Sequence, residues 1–587
     1  MQKDTLSSDN IQNVETADKK KININDIWCV LIVFAVTVLL EFIMCQKTYM
    51  RVYPDDIGFM AGVAKAAGYA WDEAIAISKY YGPAYYILYF LFFYFVKNSL
   101  VLREILVIGN VIVLGLTSVT VFLTLKTLFK DEKKWWMIIL SIFNVFFSIR
   151  LETSLSNEYI NIFVFCLINF FLARILLNEG TKRKTVINYI LLNLALVYAL
   201  SIHSRNVVYV LGLGMAYLGI CVLKKKLSFK VIIFLAITAF ICLLAYKFLP
   251  KLFVNMIWSQ RREVENTQVD TALMISRILS FDEFVLFINT LIGNIFLSIK
   301  KTCGLVLIGV YVLWADFFIN QKERTQDSLS VAETGISLFS FFCYLIGMVA
   351  VSMQWRGNPK GTGYWRYYGI YAIIFCVIGV IRWYKDKKYN TMLSSIIILL
   401  TFLLAKVFFY TAWPIQSPSR YYYYGILDWM TNCSDIVKKD LLYAGTAIFL
   451  CLCVVLTVYR KRIPWIILVA LLAIIPNFTG MSFMKVAYPE NVEKISQIAD
   501  KYRNDDVHWC FYGQDSYYLY VQYAFLDKEV VLNPSFSEKD EYVYLSNDIN
   551  SFPEDIDLDE VVELDSNEFL YTTNESLLYA LKQDSIY

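Results

Sequence analysis

The sequence predicts a mainly α-helical, polytopic membrane protein with about 13 transmembrane helices, followed by a small C-terminal α/β domain. Three observations support this fold class. Of the 587 residues, 58% are hydrophobic and 17% aromatic, whereas soluble domains are roughly 45–50% apolar. Apolar stretches long enough to cross a hydrocarbon core recur along the chain. From about residue 485 the sequence becomes polar and acidic, and short helix-like and strand-like patterns alternate.

The N-terminal region predicts a tail and a membrane anchor. Residues 1–26 are polar and contain the run Lys19-Lys20-Lys21, which is typical of a cytoplasmic segment. Residues 27–45 supply about 19 largely apolar residues, enough to span a bilayer. No small-residue cleavage site follows, so we expect an uncleaved anchor in a multi-pass protein of the cell membrane.

Basic clusters predict which loops face the cytoplasm, because cytoplasmic loops collect Lys and Arg. All six clusters fall inside only if two apolar segments, 83–96 and 284–297, do not cross the membrane and lie at the interface or re-enter it. The clusters are at 130–134, 182–184, 224–226, 322–324, 385–388 and 460–462. The remaining spans are 27–45, 101–125, 135–150, 159–177, 186–201, 206–222, 230–249, 302–319, 335–353, 367–382, 391–410, 441–459 and 463–480.

An odd number of spans places the C-terminus outside the cell. We therefore divide the chain into a cytoplasmic tail, a membrane domain over 27–484 and an extracytoplasmic domain over 485–587. Residues 46–100 form the first outer loop, with interfacial helices. In the C-terminal domain the periodicity predicts helices and strands at 492–502, 507–512, 516–526, 529–532, 541–545, 569–572 and 575–583.

Composition argues against several classes of partner and site. A net charge of +3 without a long basic run argues against nucleic acid as a partner. Two histidines and no CxxC pair make zinc and thiol redox sites improbable. The sequence contains no P-loop, GxSxG or HExxH motif.

The strongest candidate for chemistry is the pair Asp55-Asp56, which follows Tyr53-Pro54 in the first outer loop. Adjacent carboxylates repel each other and are costly near lipid, so a cation, a hydroxyl or a sugar outside the chain is expected to compensate them. Repulsion between them could raise one pKa, which suits a general base working near neutral pH. A solvated turn after Pro54 is the alternative interpretation.

Other candidates lie in the outer loops of the predicted topology. Glu158, at the outer end of a span, is a candidate catalytic carboxylate, although it could also cap its helix. Arginines beside aromatic rings can bind phosphate through paired hydrogen bonds while the rings contact a sugar or an isoprenoid chain. Candidate substrate-binding residues of this kind are Arg366, Tyr367 and Arg420. His203 and Arg205 are further candidates, in a tight turn between two apolar spans where Arg205 must reach the interface or meet an anion such as a lipid phosphate. The alternatives are pairing with phospholipid headgroups or closing the turn for Arg205, and a turn residue for His203.

These motifs resemble the GT-C glycosyltransferases that use polyprenyl-phosphate sugars, in particular the protein mannosyltransferases and the aminoarabinose transferases. Members carry an acidic pair in the first outer loop, an interfacial Pro-Tyr-Tyr-rich segment and a second acidic residue after a span ending in Arg. The corresponding residues here are Asp55-Asp56, Tyr80-Tyr81-Gly82-Pro83-Ala84-Tyr85-Tyr86, and Arg150-Leu151-Glu152 with Glu158. Tyr81-Gly82-Pro83 stands where the family has His-Pro-Pro, and the second acid is Glu where Asp is common.

The resemblance implies an inverting, single-displacement transfer of a sugar from an undecaprenyl- or dolichyl-phosphate donor to a glycan, lipid or protein at the outer face. Asp55 would be the base, Asp56 would orient it, and Tyr81 and Tyr85 would contact substrate. Asp55 and Asp56 could also hold a divalent cation, Mg²⁺ or Mn²⁺.

Two rival functions remain as alternatives. One is a glycan polymerase or ligase that uses a lipid-pyrophosphate donor, and the other is a transporter or flippase of lipid-linked sugar.

Overall fold

The computed structural model describes fourteen segments of the chain. They are residues 24–45, 54–77, 84–148, 157–177, 182–225, 228–257, 279–302, 305–318, 328–354, 365–385, 491–502, 507–537, 541–565 and 568–584.

The described helices are numbered in chain order. Helices α1 to α5 are Ile24–Cys45, Pro54–Ala66, Asp72–Ile77, Ala84–Ile87 and Phe90–Phe95. Helices α6 to α10 are Ser99–Leu128, Lys134–Ser148, Glu158–Leu177, Lys182–Ile202 and Val207–Lys224. Helices α11 to α15 are Phe229–Ile257, Phe281–Lys301, Leu305–Phe318, Ser328–Gln354 and Ala372–Lys385. Helices α16 to α18, in the C-terminal domain, are Asn491–Lys501, Asp515–Phe525 and Glu575–Asp584.

The predicted fold class is confirmed. Among the described residues, seven helices are long and apolar enough to cross a membrane, and two shorter apolar helices, Leu305–Phe318 and Gly369–Trp383, accompany them. The total of about 13 spans stays a prediction, because the predicted spans 391–410, 441–459 and 463–480 lie outside the described residues.

The two segments excluded from the span count behave differently. Residues 83–96 contain the short helices α4 and α5, neither long enough to cross a bilayer. Residues 284–297 lie within α12, a helix of 21 residues that is longer than predicted. Its first turn contains Asp282 and Glu283. These charges lower the local hydropathy, and for that reason the predicted apolar segment began only at residue 284.

The helical bundle is organised around α8 and α14. Helix α8 packs on α6, α9 and α14, while α14 also packs on α10 and α15. Helices α13 and α15 approach most closely at Gly309 and Gly379, where a Cβ placed on Gly379 would lie 2.6 Å from the Cα of Gly309. Small residues at such a crossing allow the two backbones to touch, as they commonly do in membrane helix pairs.

Polar contacts between helix ends define two faces of the bundle. On one face, the Asp26 carboxylate at the start of α1 pairs with Lys126 at 2.5 Å and Lys134 at 2.6 Å. On the other, the Tyr159 hydroxyl near the start of α8 donates to Glu41 Oε1, near the end of α1, at 3.2 Å. We call the second face the site face and the first the opposite face. Residues 126–134 lie on the same face as the start of α1, as the sequence-based topology requires.

The C-terminal domain is a five-stranded sheet with flanking helices. Its strands are β1 (His508–Tyr512), β2 (Val530–Leu532), β3 (Tyr542–Ser546), β4 (Val562–Asp565) and β5 (Glu568–Thr572). They lie in the order β2-β1-β3-β5-β4, with β1 parallel to β2 and β3, and β5 antiparallel to β3 and β4. Strand β4 was not predicted, because two of its four residues are acidic and weaken the strand pattern.

A buried ion cluster joins three helices near the opposite face. Arg382 of α15 contacts Asp316 of α13 at 2.5 Å and Glu333 of α14 at 3.3 Å. The side chains of Arg382 and Asp316 are 4% and 0% exposed, so neither charge is solvated by water. Removing one member of a buried pair leaves the other charge uncompensated, which costs about 3–5 kcal/mol.

We therefore predict that Arg382→Met lowers the midpoint of thermal unfolding in detergent by several degrees, while Arg183→Met, at an exposed position of α9, leaves it unchanged. Circular dichroism on the purified protein measures both. Equal midpoints for the two variants would show that the buried cluster contributes no net stability.

Candidate functional site

The acidic pair lies in the first turn of a helix. Helix α2 begins at Pro54, which suits the first helical position because its missing N–H would have no partner there. Asp55 and Asp56 follow, where the positive end of the helix dipole favours negative charge. Asp56 is 1% exposed. The side chain of Asp55 lies outside the described residues, and the alternative of a solvated turn is not what the backbone adopts here.

Asp56 acts electrostatically on a phenol of the C-terminal domain. The C-terminal domain contributes Tyr523, a buried residue of α17. Burial raises the pKa of the Tyr523 phenol, and Arg103, Tyr69 and Asp56 all act on it electrostatically. The region around the acidic pair is therefore built from α2, α6 and α17 together.

A second acidic centre is an ion pair on the site face. Glu158 is the first residue of α8, and its Oε2 accepts a hydrogen bond from Nη2 of Arg205. Arg205 lies in the short 3₁₀ turn Ser204–Asn206 between α9 and α10. The side chains of Arg205 and Glu158 are 17% and 8% exposed, so the pair is largely shielded from water. Both residues were predicted from the sequence as site residues, whereas their pairing was not.

Arg205 also contacts an aromatic ring from a third part of the chain. Its guanidinium carbon lies 4.5 Å from the ring centroid of Tyr367, in the 3₁₀ turn Trp365–Tyr367 between α14 and α15. A cation above a ring face is attracted by the ring quadrupole, more strongly when water is excluded. Glu158, Arg205 and Tyr367, predicted from separate loops, therefore meet at one place.

Two asparagines support this turn. Asn206 Nδ2 donates to Asn161 Oδ1 at 2.8 Å and to the Ala199 carbonyl at 2.7 Å. Asn161 lies three residues after Glu158, so both side chains project from the same side of α8. The Asn206–Asn161 bond and the Arg205–Glu158 pair thus form two successive contacts between α8 and the turn.

Arg205 keeps hydrogen-bonding capacity that the described residues do not use. Its Nε and Nη1 are buried and have no partner among the described part of the chain. Burial disfavours the charged guanidinium, but the neighbouring Glu158 outweighs it, so the pKa of Arg205 is raised above its ordinary value and the cation persists. Unused donors on a buried cation are suited to an oxyanion such as a phosphate.

His203 has a structural contact in the same turn. Its Nδ1 accepts a hydrogen bond from the backbone N–H of Arg205 at 3.1 Å, which helps to close the turn. Large buried rings lie near the Arg205–Glu158 ion pair. The rings of Tyr209 and Tyr371 meet edge to face with centroids 5.6 Å apart, and the ring centroid of Phe165 lies 5.3 Å from that of Tyr371. The rings form an apolar surrounding in which the ion pair is stronger than it would be in water.

Other predicted site residues fall partly or wholly outside the described structure. Tyr81, Arg420 and the alternative acid Glu152 lie outside the described residues. Tyr85 and Arg366 have described backbones, in α4 and in the 365–367 turn, and their side chains are not described. For these residues the assigned roles stay predictions.

Glu41 was missed by sequence analysis. It is 1% exposed within membrane helix α1 and accepts a hydrogen bond from Tyr159, next to Glu158. A lone acid in an apolar span is a signal in itself, because ionisable residues inside membranes are rare and usually functional. Asn161 and Asn206 gave no comparable signal, since polar amides are common at helix ends.

The two acidic centres are connected through the first outer loop. The Tyr198 hydroxyl, near the end of α9, donates to the Ala84 carbonyl at 3.2 Å, and α4, which begins at Ala84, also packs on α2. Among the described residues, no three His, Cys, Asp or Glu side chains cluster closely enough to hold a metal ion. The Asp55 side chain is outside that set, so a cation at the acidic pair stays a prediction.

Comparison with known proteins supports the fold. No protein-family model and no curated protein matches the sequence. The structure of ArnT from Cupriavidus metallidurans bound to undecaprenyl phosphate matches with a TM-score of 0.50 and 10% identity, over 94% of this chain and 98% of that chain. The apo ArnT structure matches with a TM-score of 0.49 and 11% identity, over 94% and 99%.

The apo oligosaccharyltransferase of Archaeoglobus fulgidus matches with a TM-score of 0.43 and 10% identity, over 87% of this chain and 65% of that chain. At identities this low, the ArnT complex supports the fold alone. The chain has the fold of the GT-C glycosyltransferases, as the sequence motifs predicted.

The Asn206 contacts predict a local stability effect. Asn206→Ala leaves the buried Asn161 Oδ1 without this donor and leaves the Ala199 carbonyl with the His203 N–H alone. The cost is about 1–3 kcal/mol, and amide hydrogen exchange at residues 203–206 should speed up. Asn193→Ala removes only a bond to the Tyr189 carbonyl within α9 and serves as the matched control. Exchange followed by mass spectrometry would contradict this role for Asn206 if both variants changed the turn equally.

Proposed function

We propose that the chain is a membrane glycosyltransferase that moves a sugar from a polyprenyl-phosphate donor to an acceptor at the outer face of the membrane. The observation that carries the proposal is Arg205, which pairs with Glu158, lies against the Tyr367 ring and has two buried donors, Nε and Nη1, that meet no acceptor among the described residues. The ArnT fold and its complex with undecaprenyl phosphate support a lipid-phosphate ligand of this kind.

The site face is assigned to the outer side of the membrane by the positive-inside rule. Basic residues collect at the opposite face: Lys126 and Lys134 beside the start of α1, Lys182 at the start of α9 and Lys224 at the end of α10. Cytoplasmic loops carry such an excess of Lys and Arg. The acidic pair, Arg205 and the C-terminal domain would then face the extracytoplasmic side, where lipid-linked sugars are consumed.

The proposed step is a single displacement. The acceptor hydroxyl oxygen forms a bond to the anomeric carbon of the sugar as the bond from that carbon to the phosphate oxygen breaks. The hydroxyl proton passes to Asp55, and the electron pair of the broken bond stays on the polyprenyl phosphate. Asp56 orients the base, and the anomeric configuration inverts because the acceptor attacks opposite to the leaving group.

The leaving phosphate gains negative charge in this step, so cations aimed at it lower the barrier. Arg205 is assigned this role, with Glu158 and the Tyr367 ring holding its guanidinium in place. Arg366, directly before Tyr367 in the 365–367 turn, is assigned as a second cation, and Arg420 is a further candidate for substrate contact. His203 closes the turn, and Tyr81 and Tyr85 are assigned to the sugar.

Two rival functions predict different outcomes. Transfer from a lipid-pyrophosphate donor alone would favour a polymerase or ligase. A flippase would move lipid-linked sugar across vesicles even after Asp55 is lost. The acceptor is a cell-envelope glycan, a lipid or a protein.

The first test is transfer of radiolabelled sugar from a panel of polyprenyl-phosphate sugars into native-host membranes. Asp55→Asn should reduce kcat by about 100- to 10,000-fold, the usual contribution of a general base, and Asp56→Asn should also impair it. Asp72→Asn is the matched control, because Asp72 is 56% exposed and pairs only at the surface with Lys65. Full activity of Asp55→Asn would contradict its assignment as the base.

A second prediction concerns the lipid phosphate. Arg205→Lys keeps the charge and loses the planar fork, so binding of undecaprenyl phosphate should weaken by about tenfold. Arg174→Lys is the control, since Arg174 lies over Phe170, 5.5 Å from its centroid, in the last turn of the same helix α8. The readout is the thermal shift that each protein gains from undecaprenyl phosphate. Equal shifts in both variants would remove Arg205 from the phosphate site.

A further inference from the structure

The C-terminal domain is attached to the first outer loop by buried contacts. The indole N–H of Trp71, between α2 and α3, donates to the Leu526 carbonyl at the end of α17 at 2.6 Å. Both residues are fully buried. Helix α17 packs on α2, α3 and α6, so the domain rests on the helix that carries the acidic pair.

The backbone that receives the Trp71 bond has an unusual conformation. Leu526 has φ 47° and ψ −102°, a positive φ that a side chain with a Cβ rarely adopts. Such residues cost about 1–3 kcal/mol and persist where the surroundings determine them, often at functional sites. Here the strained residue directs its carbonyl at Trp71.

A second contact reaches the start of α6. The Tyr523 hydroxyl donates to the Ser99 carbonyl at 3.3 Å, in the first turn of α6. Arg103 lies four residues further on, on the same side of that helix. The Tyr523 hydroxyl is therefore bonded one helical turn away from Arg103, and both Arg103 and Asp56 act electrostatically on Tyr523.

The loop between α5 and α6 completes the attachment. The Tyr69 hydroxyl donates to the Phe93 carbonyl at 2.5 Å and to the Val96 carbonyl at 3.1 Å. Lys97 lies over the Tyr69 ring at 5.0 Å and pairs with Asp527, next to Leu526, at 3.4 Å. The end of α17 is thus bound at two places in the first outer loop, at Trp71 through Leu526 and at Lys97 through Asp527.

We propose that the C-terminal domain is a positioning element of the transfer site, and that Trp71 and Tyr523 are its positioning residues, which hold α2 and its acidic pair in register with the start of α6. This inference rests on the proposed function. The Trp71–Leu526 and Tyr523–Ser99 bonds join the end of α17 to the segment after α2 and α17 itself to the start of α6, so loosening them shifts α2, which carries the proposed base, relative to α6. A misplacement of about 1 Å can cost 100-fold in rate.

The contacts oppose a separate role for the domain as a mobile acceptor-binding module. Such a module would keep its attachment exposed and polar, since interfaces between mobile domains are generally more polar than a core. Here the attachment is formed by fully buried Trp71 and Leu526 and nearly fully buried Tyr523. Under that alternative, loss of one attachment bond would change acceptor KM and leave kcat intact.

The test compares three full-length variants. Trp71→Phe and Tyr523→Phe each remove one attachment bond and keep an aromatic ring. Tyr518→Phe is the matched control, because Tyr518 is buried on the same helix and its hydroxyl bonds the Val530 carbonyl at 2.8 Å inside the C-terminal domain. For each protein we would measure amide hydrogen exchange of residues 54–66, and kcat and KM for donor and acceptor, with kcat expressed per donor-binding site.

In Trp71→Phe and Tyr523→Phe, exchange across residues 54–66 should accelerate about tenfold and kcat should fall about tenfold, the effect of about 1.4 kcal/mol. Both KM values should stay within about twofold, because binding groups are untouched. Tyr518→Phe should change none of these. The Tyr518 hydroxyl bonds Gln522 Oε1 and the Val530 carbonyl, both within the domain.

Unchanged exchange at 54–66, or the same effects from Tyr518→Phe, would overturn the positioning role. Faster exchange with wild-type kcat would also overturn it, while leaving the proposed function in place. If the wild-type protein transfers no sugar from any donor, the proposed function falls and this role falls with it, whereas the exchange data still report the attachment itself.

Discussion

The Glu158–Arg205 ion pair is the contact on which the organisation of the site face depends. It joins the start of α8 to the turn between α9 and α10, and Arg205 in turn lies against Tyr367 before α15. A charge placed beside lipid is costly unless it is paired, so each partner restricts where the other element can lie. The Asn206–Asn161 bond repeats the connection one helical turn away. On the opposite face, Arg382 and its two carboxylates obey the same rule.

Much of the fold could be predicted because hydropathy and periodicity are local properties. The apolar runs that predicted the first spans became α1, α6 and α8, and the alternating pattern from 507 became β1. Local signals failed where charge diluted them, as in the acidic strand β4 and at the charged start of α12. The close approach of Gly309 and Gly379 could not be foreseen, because it depends on which helices are neighbours.

The site was predictable in its residue types and not in its pairings. The acidic pair Asp55-Asp56 was predicted to carry chemistry, the turn between two apolar spans pointed to Arg205, and an Arg-aromatic loop pointed to Tyr367. The partners are 47 residues apart in the Glu158–Arg205 pair and 455 residues apart in the Trp71–Leu526 bond, distances over which no spacing rule operates. Glu41 was overlooked because a single acid hardly changes the hydropathy of a long apolar span, although its burial beside Tyr159 makes it a member of the same region.

On the proposed function, the pairing of the Arg205 cation with Glu158 is itself useful. An isolated buried guanidinium would bind the ground-state donor and the released polyprenyl phosphate strongly, and equal binding of substrate and transition state does not accelerate a reaction. Glu158 offsets part of that attraction, while Nε and Nη1 have no acceptor within the described part of the chain. The remaining attraction between Arg205 and the phosphate is then strongest when the phosphate carries the most negative charge, which happens as its bond to the sugar breaks. A site built in this way favours the transition state over tight product binding, which is what repeated transfer at a membrane surface requires.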